Sequence, residues 1–307
     1  MNISLDLTIR SLNEIVNRCF GLTIDFEKSY SHDFLRDCQI YKCDILNPCK
    51  INIGSIYINL NSMPNKIMPS CHFTLNSGKL DKSNRNLIDI PEVVLSINVA
   101  NQKKLSSYER RDLFHEFGHA IHSILGCNKF QQLSGAKSSM DFVEIPSELF
   151  EIFYSQIIYK DSQEYEIVEN IRDLSYEIQA CNAIERVNSL LYGLIDLEIH
   201  SKTEPITIEI IDEMRQIFNE YSLFKEMPDH SQFLNFPHFT LYPSQYSSYS
   251  LSKKIAESIF TNIYKNNIFS SDANVKLAKL LRQGAAKLPT QIIDESFGPQ
   301  LLENIII

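Results

Sequence analysis

Residues 106–126 form an unbroken, proline-free run, SSYERRDLFHEFGHAIHSILG, with apolar residues at helical spacing and two histidines four positions apart. No other stretch constrains the chain as tightly. Residues i and i+4 share one helix face about one turn apart, so His115 and His119 can grip one metal ion. Glu116, between them, stands close enough to handle a water at that metal. Ser106 or Ser107 is the expected N-cap, with Glu109 or Arg110 in the first turn. Gly118 costs a helix interior up to about 1 kcal/mol relative to alanine, and is read as room for a close neighbour or a substrate backbone.

The remainder reads as one mainly α domain spanning 1–307, with a small antiparallel β-sheet. Leu5, Ile9, Leu12, Ile15, Val16 and Phe20 put a helix at 5–20. Between 35 and 100 the texture changes to short β-branched or alternating runs at Tyr57–Leu60, Cys71–Leu75 and Val93–Val99. DKSNRN, at 81–86, reads as a hairpin tip. Helices are expected near 145–160, 163–200, 206–222, 245–266, 272–283 and 289–304. No low-complexity linker divides the chain.

Composition removes several classes. A net charge of −9 opposes nucleic acid as a partner, since phosphate binding needs a basic surface. No apolar run approaches the roughly 20 residues that span a bilayer. Seven cysteines without CxxC spacing read as free thiols. Asp6 and Glu14 make the first 20 residues unlike an acid-poor transit peptide. His32, His200 and His230 read as surface or cap residues, His72 as structural within its strand, and His122 as a core histidine.

A catalytic zinc takes three protein ligands and keeps an open position. The continuation HExxHxxGxxH would need glycine at 122 and histidine at 125, where this chain has His122 and Leu125. A glutamate from the following helix is the other common solution, and Met140–Glu151 offers Asp141, Glu144, Glu148 and Glu151. Pro146 fits a first helical turn, which puts Glu144 at the helix start, able to turn toward a neighbouring metal. Glu151, two turns further along that face, is read as accepting a hydrogen bond from a ligand histidine's free N–H. Glu148 is read as facing solvent.

FHEFGHAIH followed by DFVEIPS, whose glutamate comes 25 residues after His119, resembles the thimet oligopeptidase family of zinc metallopeptidases. The mitochondrial intermediate peptidase branch is the more similar one. GSIYINL at 54–60, CHFTLNSGKL at 71–80, IPEVVLSINVA at 90–100 and FPHFTLYPSQYSSY at 236–249 resemble that branch in order. The likeness covers roughly residues 10–300. It implies a gluzincin-type helical catalytic domain with one Zn2+ on His115, His119 and Glu144, and Glu116 as the acid–base. It also implies a substrate-closing loop in which Tyr242, Tyr246 and Tyr249 follow the family's Y-x3-Y-x2-Y spacing. Tyr249 and then Tyr242 are the expected oxyanion donors, with His238 assisting.

The loop departs from the family pattern: Leu241 stands where glycine is usual and Ser247 where a second tyrosine often follows. One residue fewer separates His238 from Tyr242 than in the thimet branch, and Pro243 is close by, so the loop is expected to close less freely. The resemblance implies a peptide or a precursor-protein N-terminus as substrate, the latter losing an octapeptide in the mitochondrial matrix; the cytoplasm is the alternative. Family members also carry an N-terminal helical half, so a separate half of that kind is an expected partner. A reading from another class stays beside the enzyme: a zinc-stabilised, catalytically impaired domain that binds peptides or a partner chain.

Overall fold

A computed structural model describes residues 3–30, 40–62, 70–83, 86–158, 172–203, 209–224, 236–265 and 267–306. His32, His230 and Cys38 lie outside the described residues. Helix α1 (Leu5–Phe20) begins at Ser4, whose side chain accepts from the Leu7 N–H, and ends at Gly21 with φ 69. That left-handed stop suits glycine because it lacks Cβ. Leu12, Ile15 and Val16 are fully buried along its apolar face.

Among the described residues there are nine strands. β1 (Ile3–Ser4) pairs with β9 (Lys104–Leu105), and β6 (Lys79–Leu80) with β7 (Leu87–Asp89) across the expected hairpin. The main sheet holds β2 (Thr23–Tyr30), β3 (Ile40–Leu46), β4 (Asn52–Asn59), β5 (Ser70–Asn76) and β8 (Glu92–Ile97), ordered β2-β3-β4-β8-β5. It starts earlier than the change of texture at 35 suggested. Its pairs are antiparallel with one exception: β4 and β8 run parallel, Ile56 opposite Val93 and Ile58 opposite Leu95. Alternation shows which side of a strand is buried but carries no information on direction. Ile45, Ile56, Ile58, Val93, Leu95 and Ile97 are fully buried.

Helix α2 (Ser107–Leu125) lies on this sheet. A Cβ on Gly54 would stand 2.6 Å from Ile124 Cγ1, so glycine is what lets strand and helix approach. Helix α3 (Met140–Ile158) runs antiparallel to α2. Tyr154 OH donates to Ser107 O at 3.1 Å near one end, and Gly118 meets Pro146 and Ser147 toward the other. The remaining helices are α4 (Arg172–His200), α5 (Ile210–Tyr221), α6 (Pro237–Leu241), α7 (Ser247–Ser258), α8 (Ser271–Leu281), α9 (Pro289–Phe297) and α10 (Gln300–Ile306). A π-helical turn, Ile259–Ile263, extends α7.

Two compact units are distinguished: 1–139, 145–158 and 255–307 in one, 140–144 and 159–254 in the other. Their boundaries fall inside α3 and α7 as well as between elements. The second unit has its own apolar cluster, built from Leu191, Ile195, Ile199, Ile210, Ile211, Met214, Phe218 and Phe239. Cys19, Cys43, Cys49, Cys71 and Cys127 carry free thiols.

Gly118 marks a close approach between α2 and α3. A Cβ there would lie 2.7 Å from both Pro146 O and Ser147 Cα, atoms of a backbone that cannot rotate away. The glycine therefore makes room for a neighbouring helix. Gly118→Val is expected to lower stability by about 3 kcal/mol through overpacking. Urea denaturation checks this, and an unchanged midpoint would show the helices are not in such contact.

Candidate metal centre

The local sequence sets up α2 as expected. Ser106 is the N-cap and forms a capping box: Glu109 N–H donates to Ser106 Oγ at 3.2 Å, and Ser106 N–H to Glu109 Oε2 at 2.6 Å. Glu109 Oε1 also accepts from the Ala100 N–H at 2.6 Å, tying the end of the sheet to the start of the helix. Such a box stabilises a helix start by about 1 kcal/mol and fixes where the turn count begins. His115 and His119 then fall one turn apart, their ring centroids separated by 5.1 Å. His119 and Glu116 are buried; His115 is less so.

α3 supplies the carboxylates. It begins at Met140, so Pro146 sits inside the helix, not in its first turn. Glu144 is accordingly in the second turn, which corrects its expected place at the helix start. Proline cannot donate to the preceding turn, and the helix gives up that bond beside Gly118. With α2 and α3 antiparallel, His115 faces Glu151 and Gly118 faces Pro146. Stepping back along the unbroken helix to Glu144 brings that residue level with His119. Ligand atoms of His115, His119 and Glu144 all lie within 4.8 Å of one another. A second group of the same tightness joins His115, Glu148 and Glu151.

Glu144, Glu148 and Glu151 share one face of α3, and Glu148 is buried, contrary to its solvent-facing assignment. Spacing puts Glu148 less closely on the side of Glu144 and Glu151, and its burial is set by what packs over that side. Its spacing, four from Glu144 and three from Glu151, was the available signal.

His115 Nδ1 donates to Glu151 Oε1 at 2.7 Å, and Arg111 Nε stands 3.9 Å from Glu151 Oε2. With Nδ1 so engaged, the lone pair of His115 is on Nε2. Two imidazoles and a buried carboxylate suit zinc, whereas calcium or magnesium would favour an all-oxygen set. The residues present therefore fit the expected metal. His122, three positions on, is fully buried, and burial with His119 nearby lowers its pKa to about 3, which keeps it neutral. His72 Nε2 lies 3.1 Å from Ser123 Oγ, linking β5 to the same helix.

The second unit gathers the aromatic residues of 236–249 around one imidazole. His238 has Tyr242, Tyr246 and Tyr249 at centroid distances of 5.3, 4.9 and 5.4 Å. It is buried, and among the described residues neither ring nitrogen has a hydrogen-bond partner. Burial lowers its pKa, opposed by the carboxylates of Asp196 and Glu144. Tyr246 packs against the apolar cluster, with its phenol pushed up to about 12 by burial and by Tyr192. Tyr242 is exposed and Tyr249 half-buried, leaving these two the more accessible phenols. His200, expected at the surface or in a cap, pairs through Nδ1 with Asp196 Oδ1 at 2.8 Å.

An HExxH helix packed on a small sheet, with acids converging from an antiparallel neighbour, is an arrangement of the metallopeptidase type in a mainly α architecture. The chain belongs to Peptidase family M3, whose model matches residues 1–302. It is 25% identical over 304 residues to the mitochondrial intermediate peptidase of Mus musculus, covering 95% of this chain and 42% of that protein. Against the mitochondrial intermediate peptidase of Schizosaccharomyces pombe it is 26% identical over 334 residues, covering 97% and 44%. The chain thus spans under half the length of these curated relatives. Among solved structures, a candidate peptidase from Chlamydophila abortus superposes with a TM-score of 0.53 at 16% identity, covering all of this chain and 46% of the other. A candidate oligoendopeptidase F from Bacillus anthracis str. Ames gives 0.51, also at 16%, over 81% and 39%. These two likenesses concern the fold.

Proposed function

We propose that the chain is the single catalytic domain, 1–307, of a zinc metalloendopeptidase that hydrolyses peptides or removes short N-terminal presequence peptides. The observation that carries this reading is the convergence of His115, His119 and Glu144 within 4.8 Å, with Glu116 buried on the same helix. A zinc ion bound there would lower the pKa of water toward neutrality and polarise the scissile carbonyl. Glu116 takes the proton from the attacking water and returns it to the leaving amine. Glu151 holds the His115 ring in its orientation through Nδ1, with Arg111 beside its other oxygen. Tyr249 and Tyr242 donate to the charge that develops on the carbonyl oxygen, with His238 assisting; such donors act where charge appears only in the transition state.

The relatives' names support a peptide substrate and a mitochondrial location; a precursor N-terminus and the matrix are what the resemblance of the motifs adds. Among the described residues no helix is long and apolar enough to cross a membrane. The length of the relatives supports a separate N-terminal half as partner. The intact Glu116 favours the enzyme over an impaired binding domain.

Zinc removal tests the assignment. A fluorogenic peptide should be cleaved by the zinc-loaded chain, alone or with a relative's N-terminal half added in trans. A chelator should stop cleavage, and one equivalent of zinc should restore it. Stoichiometric zinc without cleavage under either condition would favour the binding domain.

A further inference from the structure

The stretch LLYGLIDLEI of helix α4 carries two acids, Asp196 and Glu198, and the carboxylate of Asp196 is fully buried. A buried charge is tolerated only when its oxygens are satisfied. Those of Asp196 are: Oδ1 accepts the Ser244 N–H at 3.0 Å, Oδ2 accepts the Tyr246 N–H at 2.8 Å, and His200 Nδ1 stands 2.8 Å from Oδ1. Both amides belong to the turn between α6 and α7, which bears the tyrosines. Ser244 is held there at φ 61, a left-handed conformation unusual for a residue with a side chain.

Two further contacts follow the same face of α4. A Cβ on Gly193 would stand 3.2 Å from Ser247 Cα, and Ser189 Oγ lies 3.1 Å from Ser250 Oγ. As α4 runs backward through 196, 193 and 189, the loop and α7 run forward through 244–246, 247 and 250. The turn is docked along the helix at several points, with Asp196 satisfying its backbone. This also answers the missing glycine at 241: the strained geometry is borne by Ser244 and stabilised by charge-assisted hydrogen bonds.

We propose that Asp196 is a positioning residue of the peptidase reaction, clamping the 244–246 backbone so that His238, Tyr242 and Tyr249 stand where the reacting carbonyl needs them. This rests on the peptidase reading above. In Asp196→Asn one carboxylate oxygen becomes an NH2 group that faces a backbone N–H, so one hydrogen bond is lost and two donors oppose each other. Gly193→Ala disturbs the same dock at Ser247 while leaving Asp196 in place, and serves as a second variant should the first fail to fold.

The test pairs hydrogen exchange with kinetics on the zinc-loaded chain. In the wild type the Ser244 and Tyr246 amides should be protected. In either variant their protection should fall at least about tenfold while amides of α2 stay unchanged. Alongside, kcat should fall about 10²-fold, the cost typical of a small misplacement of catalytic groups, with KM and zinc affinity held. Unprotected amides in the wild type would overturn the clamp. Lost protection with unchanged kcat would overturn its role in positioning, as would a fall in kcat matched by lost zinc. An inactive wild type with protected amides would instead sink the peptidase reading, and the exchange arm would still decide the clamp.

Discussion

Glu116→Gln is expected to lower kcat by roughly 10²–10⁴-fold while leaving zinc stoichiometry and folding unchanged. The physical case is narrow. Glu116 is buried on the helix that carries both histidines, between them in sequence, and is absent from both groups of convergent ligand atoms. Removing its charge therefore should not loosen the metal. It removes the one function a neutral amide cannot perform, which is to accept a proton and give it back. Glutamine keeps the shape and the helix propensity, so packing against the sheet is preserved. Zinc content by atomic absorption and steady-state cleavage of a fluorogenic peptide are the two measurements. A variant that keeps near-wild-type kcat would remove Glu116 from the mechanism. One that loses both zinc and activity would make it a ligand.

Glu144→Ala is expected to act in the opposite way, weakening zinc binding by at least about 10²-fold, more than loss of an outer hydrogen-bond partner costs, and so reducing cleavage to background at limiting zinc. Two carboxylate sets converge near His115, so a companion variant is needed. Glu148→Ala removes a buried acid from the same face of the same helix but leaves His115, His119 and Glu144 intact. Zinc affinity measured by competition with a chelating dye should fall far more for Glu144→Ala than for Glu148→Ala. The reverse order would assign the metal to the set containing Glu148 and Glu151, and would require a different arrangement at the centre.

Both expectations start from a part of the site that was legible before any coordinates. The capping box, the helix it starts and the one-turn separation of His115 and His119 depend on residues within a few positions of one another. A hydrogen bond from a ligand histidine to Glu151 was also legible, because two turns of a regular helix keep Glu151 on the side of Glu144; that the donor is His115 was not. The position of Glu144 along its own helix was not. Proline normally marks a helix start, yet here the helix begins six residues before Pro146, and the backbone of Pro146 and Ser147 lies against Gly118. Glu148 was misjudged for a related reason. Whether a carboxylate on an amphipathic helix is buried depends on what packs over it.

The tyrosine loop shows the same division more sharply. Its sequence names the aromatic residues and the glycine it lacks, but nothing nearby indicates what holds the turn. That role falls to Asp196, some 50 positions earlier, one of several acids in its helix and not marked out by the residue pattern. The direction of β8 against β4 is equally silent in the residue pattern, because alternation is identical for parallel and antiparallel neighbours.

What the amino-acid order determined by itself is therefore whatever a few consecutive backbone hydrogen bonds can enforce: the HExxH face, its cap and the identity of its donors. What only the folded chain decided is which distant acids converge on that face, which of them are buried, and which carboxylate fixes the tyrosine turn. The physical reason is range. Helical periodicity relates residues a turn or two apart, whereas convergence across elements is set by close packing and by the need to satisfy every buried charge.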